Sequence, residues 1–144
     1  MTIKKKFSQK QISQLLKISK NYLFIDKAFN ITPGVSGQAS KKIYLKDWFL
    51  KSHFTNDPTM PGSLQIEAML QTIVTTIYCD KKFKYNKSLI VKLNTSFYKK
   101  ISKSGKIIID AKILKRKKNF IQARAHVFFN KERISEGNFN YINV

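Results

Sequence analysis

Acidic side chains are scarce in this chain of 144 residues: 8 Asp and Glu stand against 28 Lys and Arg, a formal net charge of +20. Arginine is scarce too, confined to Arg116, Arg124 and Arg133. Because arginine is the usual bidentate reader of phosphates and base edges, and no nucleic-acid motif accompanies the lysines, the composition argues against a nucleic-acid groove. Three readings of the charge stay open: counterion release from phosphates, steering of an acidic protein partner, and compositional bias spread over a solvated surface. The single cysteine, Cys79, excludes an internal disulfide framework, and with only His53 and His126 beside it no zinc site can be assembled. We expect Cys79 to be a small buried residue near a helix end. No apolar run reaches the roughly 18 residues of a membrane span, and "MTIKKKFSQKQISQLL" has neither the apolar stretch nor the cleavage site of a signal peptide, so a soluble, cytoplasmic protein is expected. Length and a 42% hydrophobic content suit one domain over residues 1–144.

What is present is a β-rich chain with one long apolar helix. Residues 8 to about 19 place Ile12, Leu15 and Leu16 at helical spacing behind Ser8, which predicts a short amphipathic helix. "YLFIDKAFNI" and "SGQASKKIYL" read as strands around the turn at Thr32–Gly34, and "KDWFLKSHFTNDPTMPG" reads as a long structured loop. From Gly62 to about Cys79, apolar residues lie on nearly all sides of a helix, so it belongs inside the fold. After it come four strand-like runs, separated by turns at 102–105, 115–119 and 130–132, the second of them a basic hairpin tip. One buried helix, two strands before it and about four after it imply an α+β fold: a curved antiparallel sheet rolled around the helix.

The interval between Lys51 and Lys81 contains no basic side chain, yet it holds His53 and Glu67. Ser63, Glu67, Gln71 and Thr75 recur every four residues and thread one polar line through the apolar helix. A carboxyl group buried there without a cation is expected to hold its proton to higher pH, as a general acid must. Gln71, one turn further on, is placed to orient it. His53, with an ordinary pKa of about 6.5, suits a base near neutrality. Between the two, Pro61 and Gly62 open the helix, where free N–H groups can stabilise a developing oxyanion. Against this stand the plainer alternatives of a Glu67 that reaches solvent or a distant lysine, and of a structural loop histidine.

"HFTNDPTMPGSLQIEAMLQ" resembles the signature of the FabA/FabZ-type 3-hydroxyacyl-acyl-carrier-protein dehydratases: His-Phe, a short variable piece, Met-Pro-Gly, an acidic residue fourteen positions after the histidine and a glutamine four further on. The similarity covers most of residues 20–143. It implies the hotdog fold, a long central helix wrapped by an antiparallel sheet, in a homodimer with active sites at the subunit interface. Carried over by position, it makes His53 the base that removes the α-proton, Glu67 the acid that protonates the departing 3-hydroxyl, and the Gly62 N–H the ligand of the thioester oxygen. Gln71 would support the carboxyl group, and the Thr59 carbonyl would hold the second imidazole nitrogen. No metal or organic cofactor is implied, the substrate being carried on the phosphopantetheine of an acidic acyl carrier protein. Thr55 stands where the simple form has proline. The Asp57-Pro58 piece is closer to the FabA-like branch and to dehydratase domains of polyunsaturated fatty-acid synthases, whereas FabA itself has Asp where Glu67 stands.

Two other readings remain at this point. A hotdog thioesterase would hydrolyse the acyl thioester, and a non-catalytic basic module would bind anionic surfaces with strong salt dependence and no need of His53.

Overall fold

A computed structural model describes residues 3–144 of the chain. Its strands are β1 (Lys5–Ser8), β2 (Lys27–Thr32), β3 (Ser36–Ile43), β4 (Ser88–Phe97), β5 (Gly105–Lys117), β6 (Phe120–Phe129) and β7 (Glu132–Asn143). They form one antiparallel sheet in the order β1-β2-β3-β5-β6-β7-β4. The helices are α1 (Gln9–Leu16), α2 (Trp48–Lys51) and α3 (Gly62–Tyr78).

Helix α1 starts where the sequence places it. The Ser8 hydroxyl accepts from the Gln11 N–H while the Gln11 side chain accepts from the Ser8 N–H, a reciprocal cap. It ends earlier than residue 19, because Lys17 takes a left-handed conformation with φ 57°. Three strands precede α3, not two. The additional one, β1, is a four-residue edge strand whose only large apolar residue is Phe7, so its sequence carries no alternation to read. The expected loop between β3 and α3 contains one turn of helix, α2, which buries Phe49 and Leu50.

The sheet curves around α3. Ile107, Ile109, Ala123, Ala125, Val127 and Phe139 face Met69, Ile73 and Ile77 of the helix, all of them fully buried. Alternation along β6 sends Ala123, Ala125, Val127 and Phe129 inward, and Arg124 and His126 outward. Helix and sheet approach closely at Gly37 on β3, where an added Cβ would stand 2.5 Å from the Thr76 hydroxyl. Thr72, Thr75 and Thr76 return their hydroxyls to carbonyls one turn back, at 2.8, 2.7 and 2.9 Å, so α3 carries polar atoms through the core without leaving them unpaired. Cys79 caps the helix, buried as expected, and burial pushes its thiol up to about 11.

Two surfaces are left open. Strand β4, at the sheet edge, exposes Leu89, Ile90, Val91, Leu93 and Phe97. On α3, Leu70, Val74 and Tyr78 are only half covered, so the helix is not enclosed on all sides as its sequence suggests. No helix among the described residues is long and apolar enough to cross a membrane.

Candidate active site

His53 follows α2 directly, on a loop tied down along its length. The Thr59 N–H donates to the His53 carbonyl at 2.5 Å, Phe54 and Asp57 exchange backbone bonds at 3.0 and 3.2 Å, and the Met60 N–H reaches Ile101 on the far side at 2.9 Å. Lys100 clamps both oxygens of Asp57, at 2.8 and 2.9 Å. The imidazole stacks on the exposed ring of Phe54. Its Nδ1 lies 2.9 Å from the Thr59 carbonyl, the contact that the family resemblance implies. A carbonyl can only accept, so Nδ1 carries the hydrogen and Nε2 carries the lone pair. The backbone thus fixes the tautomer that can act as a base.

Gly62 opens α3 behind Pro61, and its N–H has no carbonyl within the helix to serve. Together with Thr59, Met60, Gln65 and Phe97 it lines a cavity of about 370 Å³. An added Cβ at Gly62 would stand 2.9 Å from two ring carbons of Phe97, so a side chain here would push against that wall.

Glu67 projects from the half-covered side of α3 and not into the core, partly covered, between the buried carboxyl group and the solvent-reaching one that its sequence left open. It opens on a cavity of about 250 Å³ lined also by Leu70, Gln71, Val74, Ile90 and Tyr141. No Lys or Arg of the described residues forms an ion pair with it, although Lys87 stands at the cavity rim. Gln71 Nε2 donates to Glu67 Oε1 at 3.0 Å and to the Tyr22 carbonyl at 2.9 Å, while Gln71 Oε1 accepts from the Phe24 N–H at 2.8 Å. Since Phe24 N–H can only donate, the amide has one possible orientation, with its NH₂ toward the carboxylate. Of the four-residue polar line, only Glu67 and Gln71 meet through their side chains. Ser63 is exposed, and the Thr75 hydroxyl is spent on the Gln71 carbonyl.

The structure therefore joins His53 to Thr59, and Glu67 to Gln71, within one protomer. It does not join the two pairs: neither His53 nor Gly62 lines the cavity of Glu67, and Gly62 lines a different one. Sequence reasoning missed the backbone of Tyr22 and Phe24, which anchors Gln71, and the Tyr141 side chain in the wall beside Glu67. Backbone partners leave no mark in residue identity, and Tyr141 reads as one more inward residue of an alternating strand.

The FabA-like domain family matches residues 18–138. The 3-hydroxyacyl-[acyl-carrier-protein] dehydratase FabZ of Syntrophomonas wolfei is 25% identical over 137 residues, covering 94% of this chain and 95% of the relative. That of Ehrlichia ruminantium (strain Gardel) is 30% identical over 118 residues, covering 82% and 79%. Among solved structures, the dehydratase heterocomplex ApeI:P from Xenorhabdus doucetiae superposes with a TM-score of 0.73 at 11% identity over 92% of this chain and 90% of that one, a likeness of fold. The fold is the hotdog, α+β with the long helix wrapped by a curved seven-stranded antiparallel sheet. By the reach of the family match, over residues 18–138, the chain belongs to the FabA-like domain family.

Proposed function

We propose that this chain is a 3-hydroxyacyl-[acyl-carrier-protein] dehydratase, a hydro-lyase that removes water from a 3-hydroxyacyl thioester to give the trans-2-enoyl thioester in fatty-acid or related acyl-chain synthesis. One observation supports the reading most: along the chain, His53, bonded to the Thr59 carbonyl, precedes the α3 N-terminus, and Glu67, bonded to Gln71, follows it.

In this mechanism His53 Nε2 takes the α-proton, and the C–H electron pair forms the new double bond. The C–O pair leaves with the 3-oxygen, which takes the Glu67 proton and departs as water. The Gly62 N–H, at the positive end of α3, binds the thioester oxygen where enolate charge develops. The thioester acidifies the α-proton by itself, so no metal or organic cofactor is required. Gln71 holds the carboxyl group, and the Thr59 carbonyl holds the imidazole.

The working unit is a homodimer in which His53 of one protomer meets Glu67 of its partner. Exposed apolar residues on the β4 edge and the half-covered face of α3 support this, because an unpaired apolar edge is a surface suited to a second chain. The carrier protein is acidic, and a net charge of +20 would raise its encounter rate, most strongly at low salt. Binding of nucleic acid has no part in this reading, and the reaction is placed in the cytoplasm.

Conversion of a 3-hydroxyacyl carrier to the enoyl product tests the proposal. Turnover by the parent, with losses of about 100-fold or more in His53→Ala and in Glu67→Gln, is expected. Release of free thiol from an acyl thioester without enoyl product would point to hydrolysis and overturn it.

A further inference from the structure

The cavity beside Glu67 holds one polar group that the reaction above leaves without a task. Tyr141, near the end of β7, is 2% exposed, and its hydroxyl is the single buried side-chain N or O atom among the described residues with no hydrogen-bond partner. Its surroundings are otherwise fully paired. Buried Ser135 donates to buried Gln65 at 2.7 Å, the α3 threonines bond their own helix, and Gln71 is satisfied at both ends. A buried hydroxyl left alone costs its desolvation, and phenylalanine would fill the same space without it. A group retained at such a cost, in the wall of a reaction cavity, points to a partner that arrives with the substrate.

We propose that the Tyr141 hydroxyl is a further substrate contact, donating a hydrogen bond to the 3-oxygen of the 3-hydroxyacyl thioester as that oxygen leaves as water. The inference rests on the dehydratase reading. Several other polar groups of the cavity wall already have partners or reach solvent. Both ends of Gln71 are bonded, Tyr78 accepts from the Ser88 N–H at 2.6 Å, the Ser88 hydroxyl donates to Asn143 at 2.5 Å, and Lys87 and Tyr22 are exposed. The remaining wall is apolar: Leu16, Ile18, Leu70, Val74 and Ile90. A water enclosed there ordinarily needs about three partners, and Glu67 supplies one. Tyr141 supplies a second. Burial, with the Glu67 carboxylate and Tyr78 nearby, raises its phenol well above the ordinary range, so it keeps its hydrogen at every working pH. The proton that completes the water comes from Glu67, and Tyr141 keeps its own.

Tyr141→Phe tests this, since the ring stays and only the unpaired oxygen goes. Without ligand, the variant is expected to melt at or above the parent temperature at equal protein concentration. Dehydration of the 3-hydroxyacyl carrier should fall about tenfold in kcat/KM. In a His53→Ala background, where substrate is not consumed, the change should weaken binding of the 3-hydroxyacyl thioester severalfold and leave the saturated acyl thioester, which lacks the 3-oxygen, unchanged. A parent that turns over while Tyr141→Phe equals it in rate and in both affinities would overturn the contact. So would a variant with a lowered melting temperature that weakens both ligands equally, the mark of a structural hydroxyl. A parent without turnover would instead refute the dehydratase reading beneath it.

Discussion

Replacing Gln71 with methionine probes the part of the site with the most bonds per side chain. Methionine keeps an unbranched chain of similar length, so packing at this 2% exposed position changes little. Three hydrogen bonds are lost: from the Phe24 N–H, to the Tyr22 carbonyl and to Glu67. The buried Phe24 N–H is left without an acceptor, at about 1–3 kcal/mol, and the half-buried Tyr22 carbonyl adds about 1 kcal/mol. A total near 3 kcal/mol corresponds to a fall in Tm of about 10 °C for a chain of this size. Calorimetry at fixed protein concentration, since any dimer makes Tm depend on it, reads that number directly. Freed of its amide partner, the Glu67 carboxyl group turns away from the reacting oxygen, and misplacement on the scale of 1 Å costs about 100-fold in rate. Gln71→Met that unfolds within 1 °C of the parent would refute the clamp, and one that keeps the parent kcat would refute its part in aiming Glu67.

The exposed β4 edge and the Arg116–Asp80 ion pair each allow a further test. Val91→Asp with Leu93→Asp places charges on a strand that is open in the single chain, so the fold should survive while sedimentation shows monomers and turnover disappears; an active dimer would contradict pairing through β4. Arg116 donates to Asp80 at 2.7 Å and, with the Lys82 N–H, holds the Asp80 carboxyl below its ordinary value. A lowered carboxyl pKa contributes stability above the unfolded value of about 3.9 and loses it as pH falls through the folded one. Asp80→Asn should therefore be less stable than the parent at pH 6, the gap closing below about pH 4 in urea titrations; a gap unchanged at pH 2.5 would contradict the ion pair.

Much of this molecule is written in its sequence pattern, and the exceptions have physical causes. Strands β5, β6 and β7 are legible because each buries one face and burial imposes a period of 2 that residue types record, and α3 is legible as a long apolar run opened by Pro61 and Gly62. The pairs His53–Thr59 and Glu67–Gln71 are legible because both are local: six residues in one loop, four along one helix. What escapes is long-range or made by backbone. The Phe24 bond to Gln71 spans 47 positions, and nothing about phenylalanine announces its N–H. Strand β1 is written in lysine, and its pairing with β2 comes from position at the sheet edge and not from apolar alternation. The half-covered face of α3 is misread as core because its sequence is apolar on every side, which is equally what a helix needs when a second chain completes its burial.

In the proposed dimer the site is shared between protomers, with His53 from one and Glu67 from the other. Mixing inactive His53→Ala with inactive Glu67→Gln puts the sharing to the test. Random exchange makes about half of the dimers mixed, each with one intact site of its two, so turnover should recover to about a quarter of the parent rate. A fully exchanged mixture that stays as inactive as its two components would contradict the shared site.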